Sequence, residues 1–179
     1  MLSRKIIVQN ITNLTDARYF AAWGVDYLGY NITPESPYNL PIDKINEIAG
    51  WVEGPKTLIE ANAIEFLEGI DGHILNDAYS SLPLTKEAFF RTTLSEVEKG
   101  LPNGNYIIKI DSTDIPKLEK LSADRLLGCN LYLDITDFDF DKLENLPAEH
   151  GLVIQGGEEE KVGVKSFDDL DKLYDWLMD

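Results

Sequence analysis

Short runs of apolar residues alternate along this chain with longer stretches in which apolar residues recur every three or four positions. The short runs are rich in β-branched and aromatic residues, which is typical of buried strands. They predict eight strands, at residues 5–9, 25–30, 56–60, 73–75, 88–92, 105–111, 128–134 and 151–154. The fourth and fifth of these runs carry the weakest pattern.

The longer stretches predict helices between the strands. The first begins after Asn13, a residue type that caps helices, and ends at Gly24, because glycine adopts the left-handed conformation that closes a helix. Further helices are predicted at residues 42–49, 63–70, 94–100, 115–121, 140–146 and 167–177. Residues 76–84 are too few and too rich in turn formers for a full helix.

An alternation of strands and helices with short links predicts a parallel sheet with right-handed crossovers. Eight such units favour a closed (β/α)8 barrel, the TIM barrel, over an open α/β sheet. No linker or low-complexity segment divides the chain, so we expect one domain covering residues 1–179. Barrels of this kind usually have about 250 residues, so the loops and helices of this one must be short.

The charge of the chain narrows the choice of partners. It carries 32 acidic and 16 basic residues, a net charge of −16, and such a surface repels nucleic acid and anionic membranes.

The single cysteine, Cys129, excludes an intramolecular disulfide and is expected to be a buried, inert thiol. The sequence shows no signal peptide and no apolar run long enough to span a membrane, so we expect a cytoplasmic protein.

Two segments, one at each end of the chain, carry a resemblance to a known family. Residues 10–37 contain N-I-T-N-L-T-D-A, V-D-Y-L-G-Y and S-P. They resemble the K-I-C-G-I-T-N-x-x-D-A, A-G-A-D-x-x-G-F and S-P-R motifs that open phosphoribosylanthranilate isomerases. Residues 151–165, G-L-V-I-Q-G-G-E-E-E-K-V-G-V-K, are similar to the family's ending, G-x-D-x-S-S-G-V-E…P-G-x-K-D. The resemblance implies a (β/α)8 barrel and an Amadori rearrangement of an aminoaldose to a ketose in tryptophan biosynthesis.

That rearrangement requires a general base and a general acid. The resemblance places Gln9 at the position of the family's catalytic cysteine and Asn10 at that of the following glycine. A neutral amide is not a competent base near pH 7, and Gln9 is otherwise interpreted as a polar strand-end residue that hydrogen-bonds in the barrel mouth. Asp111 matches the family's general acid, although D-S-T-D-I-P is also typical of a helix cap or an ordinary loop.

The carboxylate and the phosphate of the family's substrate need binding groups as well. Tyr38 stands where the family has the arginine of S-P-R, and Arg91 is the candidate to supply a positive charge in the mouth, with a surface position as the alternative. Gln155, Gly156 and Gly157 are candidates to bind phosphate through backbone amides, with a tight turn as the alternative. The family's A-G-G-L after strand seven is replaced by D-I-T-D, whose carboxylates repel phosphate.

The sequence therefore favours an isomerase-like barrel in which the family reaction is weak or lost. Two alternatives stay open: a non-catalytic barrel that binds a small molecule, such as a phosphorylated ligand, or a protein partner; and an enzyme of altered chemistry that uses Asp111 with Asp134 as acid and base. His73 and His150 lack the spacing of metal ligands, and the glutamates at 158–160 are more typical of a solvated loop. We therefore expect no metal and no cofactor. The oligomeric state stays open.

Overall fold

The computed structural model describes residues 2–62, 67–76, 87–121, 126–156 and 168–178. Eight parallel strands close into a barrel in sequence order, with β1 paired to β8. The strands are β1 (Ile6–Gln9), β2 (Tyr27–Asn31), β3 (Lys56–Ala61), β4 (Gly72–Leu75), β5 (Glu87–Thr92), β6 (Gly104–Lys109), β7 (Cys129–Asp134) and β8 (Gly151–Gln155). The predicted (β/α)8 barrel is confirmed, and each strand lies within two residues of its predicted bounds.

The strand register arranges the inward-facing side chains in layers of four, each layer drawn from alternate strands. One layer from the odd-numbered strands is apolar and buried; it consists of Ile7, Leu58, Phe89 and Tyr132. Above it lies a layer from the even-numbered strands, Gly29, Ile74, Ile107 and Val153. The next layer towards the carboxyl ends of the strands is wholly polar: Gln9, Glu60, Arg91 and Asp134. The apolar filling of the barrel therefore ends beneath four hydrogen-bonding side chains.

Short helices cover the outside of the barrel. They are α1 (Leu14–Trp23), α2 (Ile42–Ala49), α3 (Leu94–Lys99), α4 (Ile115–Leu118), a 3-10 helix (Phe140–Asn145) and α5 (Asp168–Met178). They have four to eleven residues each. Helices this short are expected when a barrel has only 179 residues. Their apolar faces pack against the outward-facing strand residues in one core. No helix within the described ranges is long and apolar enough to cross a membrane.

The predicted boundaries of α1 are confirmed by its caps. The side chain of Asn13 accepts the backbone N–H of Asp16 at 2.9 Å, which satisfies one of the free donors of the first turn. Gly24 has a φ of 80°, a left-handed conformation that glycine adopts without strain, and its N–H donates to the carbonyl of Ala21. A sharp end to α1 sets the position at which β2 begins.

Two helix predictions were wrong in extent. Residues 67–70 form a turn, not the end of a helix, and Gly69 has a φ of 79°, which no helix interior accommodates. α4 ends at Leu118 instead of residue 121. Residues 63–66 of the first of these predictions, and all of residues 76–84 except Asn76, lie outside the described residues.

Candidate ligand-binding site at the mouth of the barrel

The polar layer at the carboxyl end of the barrel, formed by Gln9, Glu60, Arg91 and Asp134, is called here the mouth ring. The guanidinium of Arg91 hydrogen-bonds to the other three side chains of the ring. The Nε and Nη2 groups of Arg91 donate to the two carboxylate oxygens of Glu60 at 3.1 and 3.0 Å. Nη2 also donates to Oε1 of Gln9 at 2.7 Å, and Nη1 to Oδ2 of Asp134 at 3.4 Å. One guanidinium from β5 therefore holds side chains from β1, β3 and β7.

The mouth ring is largely removed from water. The side chains of Arg91, Glu60 and Asp134 are 26%, 13% and 5% exposed. Burial alone would lower the pKa of Arg91, but the hydrogen bonds and negative charges of Glu60 and Asp134 outweigh it and raise that pKa. Two carboxylates around one guanidinium leave the ring with a formal charge of −1. The positive charge of Arg91 is thus neutralised before any ligand arrives.

Gln9 lies at the end of β1 and is 5% exposed. Its amide oxygen accepts from Arg91, and its amide nitrogen donates to Oδ2 of Asp134 and Oγ1 of Thr136, both at 3.2 Å. The amide therefore uses its acceptor and its donors within the mouth, as one of the two sequence interpretations expected. A neutral amide is also not a base that takes a proton from carbon near pH 7.

Asp134 is also held by the loop that follows β7. Its Oδ1 accepts the backbone N–H of Thr136 at 3.1 Å and the hydroxyl of Thr136 at 2.6 Å. The carboxylate thus closes a tight turn at the place where the resemblance implies a glycine-rich phosphate loop. An ionised carboxylate at this point repels a phosphate group.

Arg91 was predicted either to lie in the mouth or to lie on the surface, and the structure places it in the mouth. Asn10, the residue after Gln9, has a φ of 59°, the one positive value among the described non-glycine residues. Asparagine tolerates this left-handed conformation better than most residues. The backbone shape that a glycine would give is therefore kept at Asn10.

Gly156 was a candidate to offer its backbone amide to a phosphate. Its N–H donates instead to the carbonyl of Gln9 at 2.9 Å, continuing the pairing of β8 with β1. A side chain at this position would lie 3.2 Å from the Cδ1 atom of Ile11, so a larger residue would require the Ile11 side chain to shift slightly. Gly157 lies outside the described residues, and its part in phosphate binding stays a prediction.

A hydrogen bond connects the β2–α2 loop with the end of β8. The Nε2 atom of Gln155 donates to the hydroxyl of Tyr38 at 2.7 Å, and the backbone N–H of Tyr38 donates to the hydroxyl of Ser36 at 3.1 Å. Two residues predicted to contact a ligand therefore contact each other. A ligand that uses either side chain must break or replace this bond.

Asp111 is exposed and lies two residues beyond the end of β6. Its Oδ1 accepts the hydroxyl and the backbone N–H of Thr113 at 2.6 and 2.7 Å, and these bonds lower the pKa of the carboxyl group. A general acid needs a raised pKa so that it holds a proton near pH 7. Among the described residues, no hydrogen bond joins Asp111 to the side chain of Asp134.

The sequence interpretation missed Glu60 and Lys109. Glu60 ends the predicted third strand two residues after inward-facing Leu58, so its inward orientation was available from the alternation along the strand. Lys109, on the rim of the mouth, forms an ion pair with Asp137 at 2.5 Å, and both side chains are about two-thirds exposed. Within the described ranges, no three histidine, cysteine or acidic side chains are grouped closely enough to hold a metal ion.

Comparison with solved structures finds proteins that share this fold. An N-(5'-phosphoribosyl)anthranilate isomerase from Pyrococcus furiosus matches with a TM-score of 0.66 at 13% identity, over 98% of each chain. The Thermus thermophilus enzyme matches with 0.66 at 17%, over 97% of this chain and 98% of that one. The chain has the fold of phosphoribosylanthranilate isomerases.

A third solved isomerase matches with a TM-score of 0.64 at 14% identity, over 96% of each chain. It was solved in complex with reduced 1-(o-carboxyphenylamino)-1-deoxyribulose 5-phosphate. No protein-family model and no curated protein matches this chain. Identities this low establish the shared fold and leave the reaction to be argued from the site.

Proposed function

We propose that this protein is a divergent relative of phosphoribosylanthranilate isomerase in which the Amadori rearrangement is absent or very slow. The observation that carries the proposal is the mouth ring. Its one cation, Arg91, is already bonded to two carboxylates and an amide. The shared fold and the motifs at both ends of the chain support descent from the family.

The proton-transfer groups argue in the same direction. Gln9 replaces the family's cysteine and has both ends of its amide engaged. Loss of a general base typically costs about 10²–10⁴ in rate. Asp111 keeps a lowered pKa through Thr113, so the carboxyl group is ionised at neutral pH and has no proton to donate.

The anion-binding groups are weakened as well. Tyr38 offers one hydroxyl in place of a guanidinium, and that hydroxyl accepts from Gln155. The N–H of Gly156 is used by Gln9. Each charge-assisted hydrogen bond lost to a substrate costs roughly 1.5–3 kcal/mol. Several such losses would leave a phosphorylated carboxylate substrate without firm binding.

The proposal is tested with the purified full-length protein and N-(5'-phosphoribosyl)anthranilate. We expect no turnover above the uncatalysed rate. We also expect no saturable calorimetric signal with reduced 1-(o-carboxyphenylamino)-1-deoxyribulose 5-phosphate, the compound bound to the solved isomerase. An active isomerase assayed in parallel serves as the positive control. Steady turnover by this protein, or growth without tryptophan when it replaces the isomerase in a deficient strain, would overturn the proposal.

A further inference from the structure

A cavity of about 420 Å³ opens at the amino-terminal end of the barrel, opposite the mouth. It lies between the segment before β1, the start of β7 and the residues that precede β8. We call it the floor cavity; the lining residues used below are Arg4, Lys5, Leu126, Leu131, Glu149 and His150. Its position separates it from every residue of the mouth ring.

The histidine of this cavity makes no side-chain hydrogen bond within the part of the chain that the structure describes. His150 lines the floor cavity and is 5% exposed, yet neither ring nitrogen is hydrogen-bonded among the described residues. Burial lowers the pKa of His150; Glu149 raises it and Arg4 lowers it further. A neutral imidazole carries one donor and one acceptor, so the ring of His150 can hydrogen-bond to a ligand in the cavity.

The charged groups around His150 favour a negative ligand. Arg4, Lys5 and Glu149 are the charged residues that line the cavity, so its lining has a net charge of +1 (two cations, one carboxylate) in a protein whose net charge is −16. Lys5 also lines the neighbouring cavity, where it acts on Glu87. Arg4 is fixed in place, since its guanidinium donates to the carbonyls of Pro147 and Leu146 at 2.7 and 3.0 Å. It also lies 4.7 Å from the centre of the Trp176 ring. A cation held in this way loses little freedom when it binds an anion.

Part of the remaining wall is apolar, although Ser3 and Asn130 also line it. Leu126 and Leu131 line the cavity beside the ring of Tyr132. A ligand that combined an anionic group with a small apolar body would satisfy both parts of the wall.

We propose that the floor cavity binds a small organic anion, a carboxylate or a phosphate ester, which hydrogen-bonds to His150 beside Arg4 and Lys5. The site does not depend on the proposed loss of isomerase activity, because no mouth residue takes part in it. It places ligand binding at the end of the barrel opposite the one that carries chemistry in TIM-barrel enzymes.

The test uses the two histidines of the chain as reporters. His150 lines the cavity, whereas His73 is a buried residue of β4, so a spectrum of labelled histidine rings contains two sets of signals, one for each residue. Benzoate and inorganic phosphate are titrated separately at millimolar concentration, with benzamide as the uncharged control of the same shape. We expect a saturable shift of the His150 signals by an anion, a rise of its pKa by about one unit, and no change at His73.

The two anions distinguish a carboxylate from a phosphate ligand. A shift of the His150 signals with either anion supports the site, and the anion that causes it shows whether the site binds a carboxylate or a phosphate. Absence of any shift with both anions, or an equal response to benzamide, would overturn the proposal.

A pair of lysine variants locates the anion. A second cavity of about 450 Å³ at the same end of the barrel is lined by Lys5, Asp26, Lys56 and Glu87. We expect Lys5→Gln to weaken benzoate binding roughly threefold to fivefold, as for one partly exposed charge contact, and Lys56→Gln to leave it unchanged. An equal loss with Lys56→Gln would place the anion in the second cavity and contradict the assignment to His150.

Discussion

The guanidinium of Arg91 stands between two carboxylates that are almost fully enclosed. Glu60 and Asp134 are tolerated there because the hydrogen bonds of Arg91 compensate for their lost hydration. Arg91 therefore stabilises the mouth, and under the proposed function the same pairing leaves it unable to bind an anion. Its two effects have one cause, which is the pairing of a single cation with two anions.

Arg91→Met removes the positive charge and keeps an apolar side chain of similar length. Because two buried carboxylates then face each other without a cation, we expect the free energy of unfolding to fall by about 3 kcal/mol, the lower end of the range for a broken buried ion pair. Urea unfolding at pH 7 measures the change. Glu60→Gln and Asp134→Asn, added to Arg91→Met, should restore most of the loss. A loss below about 1 kcal/mol would show that the ion pairs behave as surface pairs do.

At the residue scale, the sequence predicted some site positions and not their partners. Gln9 and Arg91 could be predicted near the mouth because both are polar residues at the ends of predicted strands, where alternate side chains face inwards. The bond from Arg91 to Glu60 joins strands that are not neighbours, and it depends on the stagger of the closed barrel. That stagger has no signature in a local pattern. Asp111 was singled out by the resemblance and by its place at the end of a predicted strand, and its bonds to Thr113 agree with the alternative that D-S-T-D-I-P forms an ordinary loop.

Among the elements, the strand ends at the floor of the barrel depend on two glycines. A side chain on Gly72 would lie 2.6 Å from the backbone oxygen of Glu87 and 2.8 Å from Cδ2 of Leu58. A side chain on Gly151 would lie 2.5 Å from the ring of Tyr132. Both glycines therefore make room for large residues of the lowest apolar layer.

Gly72→Ala tests this close packing at the start of β4. We expect a loss of about 1–3 kcal/mol in the free energy of unfolding, because the backbone oxygen of Glu87 cannot move aside as a flexible side chain would. Gly104→Ala is the matched control at the start of β6, where the nearest atom to an added methyl group is 3.4 Å away. Chemical denaturation compares the two. Equal free energies of unfolding for the two variants would mean that β3, β4 and β5 shift easily to make room for the added methyl group.

The elements themselves could be predicted well where apolar runs are short and clearly bounded. Asn13 and Gly24 marked the limits of α1, and both caps are present. The turn at residues 67–70 was missed because its apolar spacing is compatible with a helix, while Gly69 adopts a left-handed conformation that the spacing does not reveal.

For the molecule as a whole, the eightfold alternation was enough to predict the closed barrel, because few topologies place eight short parallel strands in one small domain. The net charge of −16 affects the stability of the whole barrel. Like charges spread over a compact surface repel one another and oppose folding.

Added salt should therefore stabilise the protein. Raising NaCl from about 10 to 100 mM shortens the screening length from about 30 to 10 Å, and we expect the thermal midpoint to rise by several degrees. Glu53→Lys, a change at an exposed position, should stabilise the protein at low salt and reduce the response to salt. A midpoint that falls with salt would indicate that attractive ion pairs outweigh the repulsion.

The mouth ring also bears on the order in which the barrel forms. Arg91 is separated by 82, 31 and 43 positions from its partners Gln9, Glu60 and Asp134. Gln9 and Asp134 are separated by 125 positions. Contacts between such distant parts of the chain form only after the intervening segments are in place. We therefore expect the ring to form late, after the barrel has closed, so that weakening it speeds unfolding and leaves the folding rate nearly unchanged.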